Sequence, residues 1–469
     1  MSNYKAELPP TSRLSSSFRD PSGFLFKYDN KIYRQVNPIY EGNYNRLMST
    51  GLYQQAVERG WLITHDEIED TNIAPNSSAY KVLLPEQLQF VSYPYEWSFS
   101  QLKDAALLTL SLQKLALDLG MTLKDASAYN VQFHNGRPLF IDTLSFETYT
   151  EGRPWVAYQQ FCKHFLAPLA LMAHRHVDLG KLLRLNIDGV PLDIASSLLP
   201  WRTRLSFGLL MNLHLHARSI QQHAGSSTSA KKATAQKFSK TALIGIIDNL
   251  ESTVRKLRWQ VAATEWGDYY DATNYSENAN NHKLELVAQY IKSSQARSVW
   301  DVGANTGRFS RVASNQGILT VAFDIDPAAV ELNYLESRKE NEENILPLIM
   351  DLTNPSTDLG WAGTERMGLA SRGPADLVLA LAIVHHLAIS NNIPLEGIAD
   401  YFAKLARALV IEFVPKEDSQ VQRLFATRPD IFPDYTRAGF EQAFEGQFEL
   451  QSAELVRDSE RVLYLFARR

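Results

Sequence analysis

Beyond about residue 298, short apolar runs alternate with amphipathic stretches. SVWDVG (298–303) is an apolar run closed by glycine, and RFSRVASNQG after it has a helical pattern ending at Gly317. ILTVAFDID, ILPLIMD, DLVLALA and LVIEFVP are further apolar runs, too uniformly apolar to leave one face in water. Between them PAAVELNYLESRKENE, with Pro327 at its first position, and PLEGIADYFAKLARA carry helical periodicity. This βαβ order predicts a parallel sheet covered by helices on both faces. QFELQSAELV and RVLYLFARR, split by RDSE, predict a closing antiparallel hairpin.

The region before it is organised differently. DAALLTLSLQKLALDLG is a long apolar helix signal, and NGRP between two apolar runs is a hairpin signal. QQHAGSSTSAKKATAQKFSK (221–240) is almost free of large apolar residues, the chemistry of a linker. The expected division is an N-terminal α+β domain over 1–222, a linker over 223–240, a connecting helix and lid over 241–297, and an α/β domain over 298–469.

Composition narrows the classes. The 469 residues are 45% hydrophobic and carry a net charge of −5, which gives no global pull on nucleic acid or an anionic surface and leaves room for a local basic patch. The one cysteine, Cys162, excludes an intrachain disulfide framework and fits a reducing compartment. No apolar stretch reaches the roughly 18 residues of a membrane span. MSNYKAELPP has no secretory core. A cytoplasmic protein is expected.

The chemistry concentrates in three strand ends. Asp301-Val302-Gly303-Ala304-Asn305-Thr306-Gly307 closes the first strand and opens a helix, with glycines where the backbone turns tightly against a ligand. Its spacing is neither the dinucleotide fingerprint nor a phosphate loop. Its leading acid suits a ligand with a positive group. The second strand ends in Phe323-Asp324-Ile325-Asp326, where a carboxylate can accept from both hydroxyls of a ribose. The third ends at Asp351, placed for an adenine amino group.

DVGANTG, AFDIDPAAV, IMDL, ADLVLALAIVHHL and the terminal hairpin resemble, in this order, the motifs of class I S-adenosylmethionine-dependent methyltransferases. The resemblance implies a Rossmann-like seven-stranded sheet and S-adenosylmethionine as cofactor. It implies that Gly303, Ala304, Asn305 and Gly307 shape the loop around the methionine part, and that Asp301 holds its amino end. Asp324 and Ile325 would meet the ribose, Asp351 and Leu352 the adenine, and Ala380 to Ala382 the sulfonium side. WGDYYDATNY (266–275) resembles the N-terminal lid of such enzymes, with Tyr270 and Tyr275 over the cofactor and Trp266 as core. More narrowly, FRDPSGFLF, SYPYEWSFSQLKDAALLTL, RPWVAYQQFCKHFLAPLAL and VIEFVPKEDSQVQRL resemble a bacterial family of nodulation-protein-like methyltransferases over nearly the whole chain.

An oxygen or nitrogen acceptor loses a proton, so a base beside the methyl is expected. Of His385 and His386 after the fourth strand, His385 is expected to face the pocket as base, against packing at a helix end. Glu412, closing the fifth strand, would orient a substrate amine or hydroxyl or else form a salt bridge. The long stretch 353–374, with Trp361, Glu365 and Arg366, would bind substrate. The expected reaction is O-methylation of a small molecule or of a carbohydrate or lipid biosynthetic intermediate. RNA or protein methylation is the alternative acceptor class, with nucleic acid disfavoured by the charge and by LALA where an Asn/Asp-Pro-Pro-aromatic motif would stand. A non-catalytic cofactor-binding scaffold is the bland alternative.

In the N-terminal part, Asp125-x4-Asn130, a hairpin and Ile141-Asp142 resemble the catalytic loop and metal-binding Asp of kinases. The resemblance implies Asp125 as base and Asn130 and Asp142 as Mg²⁺ ligands for ATP. Against it, Lys124 stands before Asp125, Thr143-Leu144 replaces Phe-Gly, and Arg34 stands in the lysine's place in the hairpin PSGFLFKYDNKIYRQV. A bifunctional or regulated protein binding Mg-ATP is one reading, and a degenerate domain for substrate binding or assembly is the other. His164, His174, His176, His214 and His216 are close in sequence, but packing or surface positions are favoured and no metal site is assigned. Trp155, Tyr158, Phe161 and Phe165 form a buried helical stripe, and Tyr93, Tyr95 and Trp97 line a pocket or pack.

Overall fold

The computed structural model describes residues 12–75, 78–218, 239–261, 277–426 and 428–469. The apolar runs of the C-terminal part form β10 (Ser298–Val302), β11 (Leu319–Asp324), β12 (Ile345–Ile349), β13 (Ala375–Ala380) and β14 (Ala406–Phe413). The closing pair is β15 (Phe448–Leu455) and β16 (Val462–Arg468). They make one sheet in the order β12-β11-β10-β13-β14-β16-β15. The first five strands pair parallel, and β16 runs antiparallel to both β14 and β15. The expected parallel sheet and terminal hairpin are both present.

Alternation along each strand separates two buried faces. Val299, Leu377, Leu379 and Val410 face the helix Glu277–Ser294 through Val287, Tyr290 and Ile291. Trp300, Phe323, Val378, Leu409 and Ile411 belong to a larger core on the opposite face, shared with Phe402 of the helix Leu395–Leu405 and Phe440 of the helix Arg437–Glu445. The helix Pro327–Glu340 starts as its sequence predicts: Pro327 takes the first position and the Asp326 side chain accepts from Ala328 N at 2.8 Å.

The N-terminal part has an antiparallel sheet in the order β1-β2-β3-β5-β4. Its strands are β1 (Ser12–Arg13), β2 (Gly23–Tyr28), β3 (Lys31–Val36), β4 (His65–Ile68) and β5 (Lys81–Pro85). Two small pairs follow, β6 (Met121–Leu123) with β9 (Phe146–Thr148) and β7 (Val131–His134) with β8 (Arg137–Phe140). The apolar helix signal becomes Phe99–Asp118, opened by a capping box of Ser98 and Gln101. The helix Lys240–Lys256, capped by Ser239, lies on it, with Lys114 bonded to Asp248 and Glu251. Packing thus groups 240–256 with the N-terminal part. The linker expected at 223–240 falls almost wholly outside the described residues.

The N-terminal part has apolar clusters of its own around Phe26 and Tyr44, yet its helical core is not separate. One buried cluster runs from Leu47 through the Phe99–Asp118 helix to Phe466 in the far strand. Phe90 is the contact: its ring meets Trp300 edge-on at 5.6 Å and Phe323 at 6.0 Å. Polar contacts surround it. Gln101 donates to Pro347 O at 3.0 Å, Ser100 N to Glu331 at 2.9 Å, and Tyr334 OH to Asp104 at 2.7 Å.

The strongest contact is the ion pair of Glu96 with Arg372, 2.5 Å apart and 2% exposed on both sides. Ser356 Oγ also donates to Glu96 at 3.0 Å, and the guanidinium lies over the Phe90 and Tyr93 rings. No helix among the described residues is long and apolar enough to cross a membrane.

Removing one member of such a pair strands the other charge in a dry contact, which costs about 3–5 kcal/mol. Glu96→Ala is therefore expected to lower the urea midpoint strongly, while Lys81→Ala at the exposed Glu67 pair changes the unfolding free energy by roughly 1 kcal/mol or less and moves the midpoint little. Equal shifts for the two variants, read by tryptophan fluorescence, would show that the Glu96 contact does not hold the parts together.

Candidate active site

The C-terminal ends of β10 to β13 surround a cavity of about 390 Å³. Its floor is the turn after β10. Gly303 has φ +77°, and a Cβ there would meet Ile383 Cδ1 at 3.2 Å. The amides of Gly303 and Ala304 both donate to Phe323 O at 2.9 Å, fastening the turn to β11. Gly307 has φ +84° and does not line the cavity; a Cβ there would fall 2.6 Å from the Asn333 side chain. It permits close helix packing behind the turn rather than contact with a ligand.

Gly303, Ala304, Asn305, Asp301, Asp324, Ile325, Asp351 and Leu352, expected at the site from sequence, all line this cavity. Asp301 accepts from Ser310 Oγ at 2.6 Å. Burial drives its carboxyl up to about 7, against the bond from Ser310; the charge of Asp324 adds to the rise and that of Lys283 opposes it. Asp324 accepts from Asn305 N at 2.7 Å and Asp326 N at 2.9 Å, and burial still raises it to about 6. Two buried carboxylates thus flank the turn, an arrangement that favours a cationic ligand. Asp351 is more open and accepts from Thr353 N at 2.8 Å.

Three placements differ from the sequence expectation. Ala380 is buried in β13 behind the wall, and the next residues, Leu381 and Ala382, line the cavity. His386, not His385, faces it, with the two rings 4.1 Å apart. The helical turn after β13 widens into a π turn over His386–Ser390, and His385 precedes it, wholly buried, with neither ring nitrogen hydrogen-bonded. Burial lowers His386 to about 4 and holds His385 well below the ordinary imidazole range, so both rings are neutral at neutral pH.

Glu412 is the third: of its two expected roles, substrate orientation and a salt bridge, it takes the salt bridge. It lies under the wall with no exposure, its Oε2 2.6 Å from Lys283 Nζ and its Oε1 3.7 Å from Arg461. Arg461 also meets Asp418 at 2.7 Å. Glu412 therefore has cations rather than a substrate group before it. Lys283 lines the cavity, and sequence reasoning missed it. The signal was present: Ala279, Lys283, Leu286, Val287 and Tyr290 form the buried stripe of the Glu277–Ser294 helix, and a lysine interrupts it.

The remaining expectations fall elsewhere. Tyr270, Tyr275 and Trp266 lie outside the described residues. Of 353–374 only Thr353 reaches the cavity. Arg19 donates two hydrogen bonds to the Glu365 carboxylate at 2.9 and 2.7 Å, Met367 N donates to Tyr93 OH at 2.8 Å, and Arg366 stacks 4.0 Å over Tyr129. This connection fastens the two parts of the chain; Tyr93, Tyr95 and Trp97 are all buried, Tyr93 against Met367 and Arg372, and Trp97 edge-on to Phe133 at 5.2 Å.

In the N-terminal part, Asp142 pairs with Arg34 and accepts from Ser145 Oγ, and Asn130 donates to the same Ser145 oxygen at 3.1 Å. Burial would raise Asp142, but the Arg34 charge and these bonds hold it below the usual carboxylate range. Asp125 is raised by burial and then by the charge of Asp142. The three kinase-like residues are close together, with Asp142 engaged by an arginine. Among the described residues no group of three or more His, Cys, Asp or Glu is arranged to hold a metal ion. His214 bridges Ser196 Oγ at 2.8 Å and Thr203 Oγ1 at 2.9 Å, and His164 is buried.

The seven-stranded sheet in this order carries an acidic glycine turn at the end of its first strand and a cavity at the C-terminal strand ends. The chain is 37% identical over 471 residues to nodulation protein NoeA of Rhizobium meliloti (strain 1021), covering 99% of this chain and 98% of the relative. It belongs to that protein's family. No family model matches the chain. Among solved structures it is similar to magnesium protoporphyrin IX methyltransferase of Synechocystis PCC 6803, at 17% identity and TM-score 0.30 over 41% of this chain and 84% of that one. It is also similar to the N-methyltransferase NodS of Bradyrhizobium japonicum WM9, at 9% identity and TM-score 0.29 over 41% of this chain and 98% of that one.

A carboxyl raised in the folded state stabilises it at low pH. For Asp301 that contribution is present below the ordinary value of 3.8 and lost as pH rises through about 7. Asp301→Asn keeps an acceptor for Ser310 and removes the buried charge. The variant is expected to be more stable than the parent at pH 8, by up to about 4 kcal/mol, with the difference shrinking toward pH 4. Melting curves across this range check it; a pH-independent difference would refute the buried-charge account.

Proposed function

We propose that the cavity binds S-adenosylmethionine and that the chain methylates an oxygen of a small molecule or of a carbohydrate or lipid biosynthetic intermediate. The observation that carries the reading is the pair of buried carboxylates, Asp301 and Asp324, on either side of the Gly303 turn. In this reading Asp301 answers the amino group and sulfonium charge, Asp324 the ribose hydroxyls, and Asp351 with Leu352 the adenine. Lys283 meets the cofactor's carboxylate, and Glu412 with Arg461 positions Lys283.

The bound cofactor supplies a methyl already activated by the sulfonium. The chain's task is then alignment and exclusion of water. Leu381, Ile383 and Leu387 provide an apolar wall, and Ser390 and Asn391 give the same cavity polar groups for an acceptor. His386 accepts the hydrogen bond of the acceptor hydroxyl as a neutral ring. Loss of the sulfonium charge on methyl transfer would make a proton on the His386 ring less unfavourable, so this ring could take the proton the acceptor oxygen gives up. His386, in place of His385, takes the role of base.

Calorimetry tests the assignment. The parent is expected to bind S-adenosylhomocysteine, and Asp324→Ala to abolish binding; a folded parent giving no heat would end the methyltransferase reading. Lys283→Met should weaken S-adenosylhomocysteine by roughly 10- to 100-fold, the size of one charge-assisted contact, and leave 5′-methylthioadenosine, which lacks the amino-acid part, unchanged. Equal loss for both ligands would make Lys283 a packing residue. His386→Gln should lower turnover with little change in cofactor affinity, and unchanged turnover would remove it from the reaction.

A further inference from the structure

Residues 192–218 lie far along the chain from the cavity residues and carry an unusual outer surface. Three short helical pieces, Leu192–Leu198, Trp201–Leu205 and Phe207–Leu215, pack on one another. The buried His214 bridges the first two through Ser196 and Thr203, and Asn212 donates to Gly208 O at 2.8 Å and to Asn249 at 2.6 Å. Leu209 and Leu213 face the core. With those bonds and contacts fixing the orientation, each piece leaves two large apolar side chains exposed. Ile194 and Leu198 are the first pair, Trp201 and Leu205 the next, and Phe207 and Met211 the third, continued by Leu215. Trp201 is 73% exposed, Leu205 76% and Phe207 68%. Scattered exposed leucines need no explanation, but a run of large apolar side chains on adjoining turns marks an interaction surface.

Charge identifies the partner. Arg202 and Arg204 are exposed between Trp201 and Leu205, and Arg218 is exposed at the end of the third piece. On the described face these three arginines are exposed against one exposed acid, Asp193, at its edge, in a chain whose net charge is −5. A tryptophan and leucines interleaved with arginines suit the boundary between headgroups and acyl chains, where apolar rings enter and guanidinium groups meet phosphate.

We propose that this face docks peripherally on an anionic lipid surface, with Trp201, Leu205 and Phe207 entering the interface and Arg202 and Arg204 meeting the headgroup phosphates. The inference is independent of the methyl-transfer reading, because none of these residues lines the cavity.

Flotation of the full chain with vesicles tests it. Binding to phosphatidylcholine mixed with phosphatidylglycerol is expected to exceed binding to phosphatidylcholine alone by roughly tenfold or more, and to weaken as salt rises. The triple variant Trp201→Ser, Leu205→Ser, Phe207→Ser should lose binding with an unchanged melting temperature, since these side chains are exposed. Arg202→Gln with Arg204→Gln should lose the preference for phosphatidylglycerol and keep the weaker binding. Brominated phosphatidylglycerol should quench tryptophan fluorescence in the parent, and less in Trp201→Phe, which keeps the face apolar. Three results would overturn the proposal: no flotation of the parent, undiminished flotation of the triple variant, or a parent that is dimeric by light scattering while the triple variant is monomeric. The last would assign the face to a second copy of the chain.

Discussion

A parallel sheet has two faces to keep from water, and in this chain one of them is closed by residues from the other end of the sequence. Trp300 and Phe323 project from the two strands that also carry Asp301 and Asp324, and Phe90 lies against both rings. The aromatic contact and the ligand-facing carboxylates are therefore on adjacent residues of the same strands. Whatever holds Phe90 in place also holds the strand ends. The Glu96–Arg372 pair does part of this, and its insulation from solvent makes it depend on correct assembly of both parts.

The cavity shows the opposite economy. Asp301 and Asp324 are held where burial makes their charge unfavourable, and each has protein hydrogen bonds that only partly offset it. Stability is sacrificed at the site where a cationic ligand would repay it, and the folded empty protein stores the difference. The Lys283–Glu412–Arg461–Asp418 chain of charges lies beneath and keeps the region from being uniformly negative.

The parts legible in the sequence were those decided locally. A glycine that needs positive φ, an Asp-Pro helix start and a strand buried on both faces are each written in a few neighbouring residues, so β10, β11 and the turn between β10 and its helix could be read directly. The orientation of His385 and His386 could not, because a π turn shifts which of two adjacent residues faces the cavity. Glu412 was legible as a strand-end carboxylate, but its partners Lys283 and Arg461 are respectively 129 residues before it and on a later turn, and no periodicity connects them. The same distance hid the role of 353–374. The sequence announced a long connection at the active edge, while its contacts with Arg19, Tyr93 and Glu96 depend on the assembled N-terminal part. The order Asp125, Asn130, Asp142 was visible in the sequence; the arginine paired with Asp142 came from another strand.

The 353–374 connection begins at Thr353, on the cavity rim, and ends beside β13, having touched the N-terminal part at several points on the way. A strand-to-strand crossover usually brings its own helix to cover the sheet; this one contains a single four-residue turn of α-helix, Leu369–Arg372. The covering was given over to a distant stretch of the same polypeptide. The two parts are consequently poor candidates for exchange as modules. A chimera joining the first part of one relative to the second part of another would have to carry over Phe90, Glu96 and Ser100 together with Trp300, Arg372 and Glu331, so recombination within such a family is constrained at a seam that the linear order of the chain does not mark.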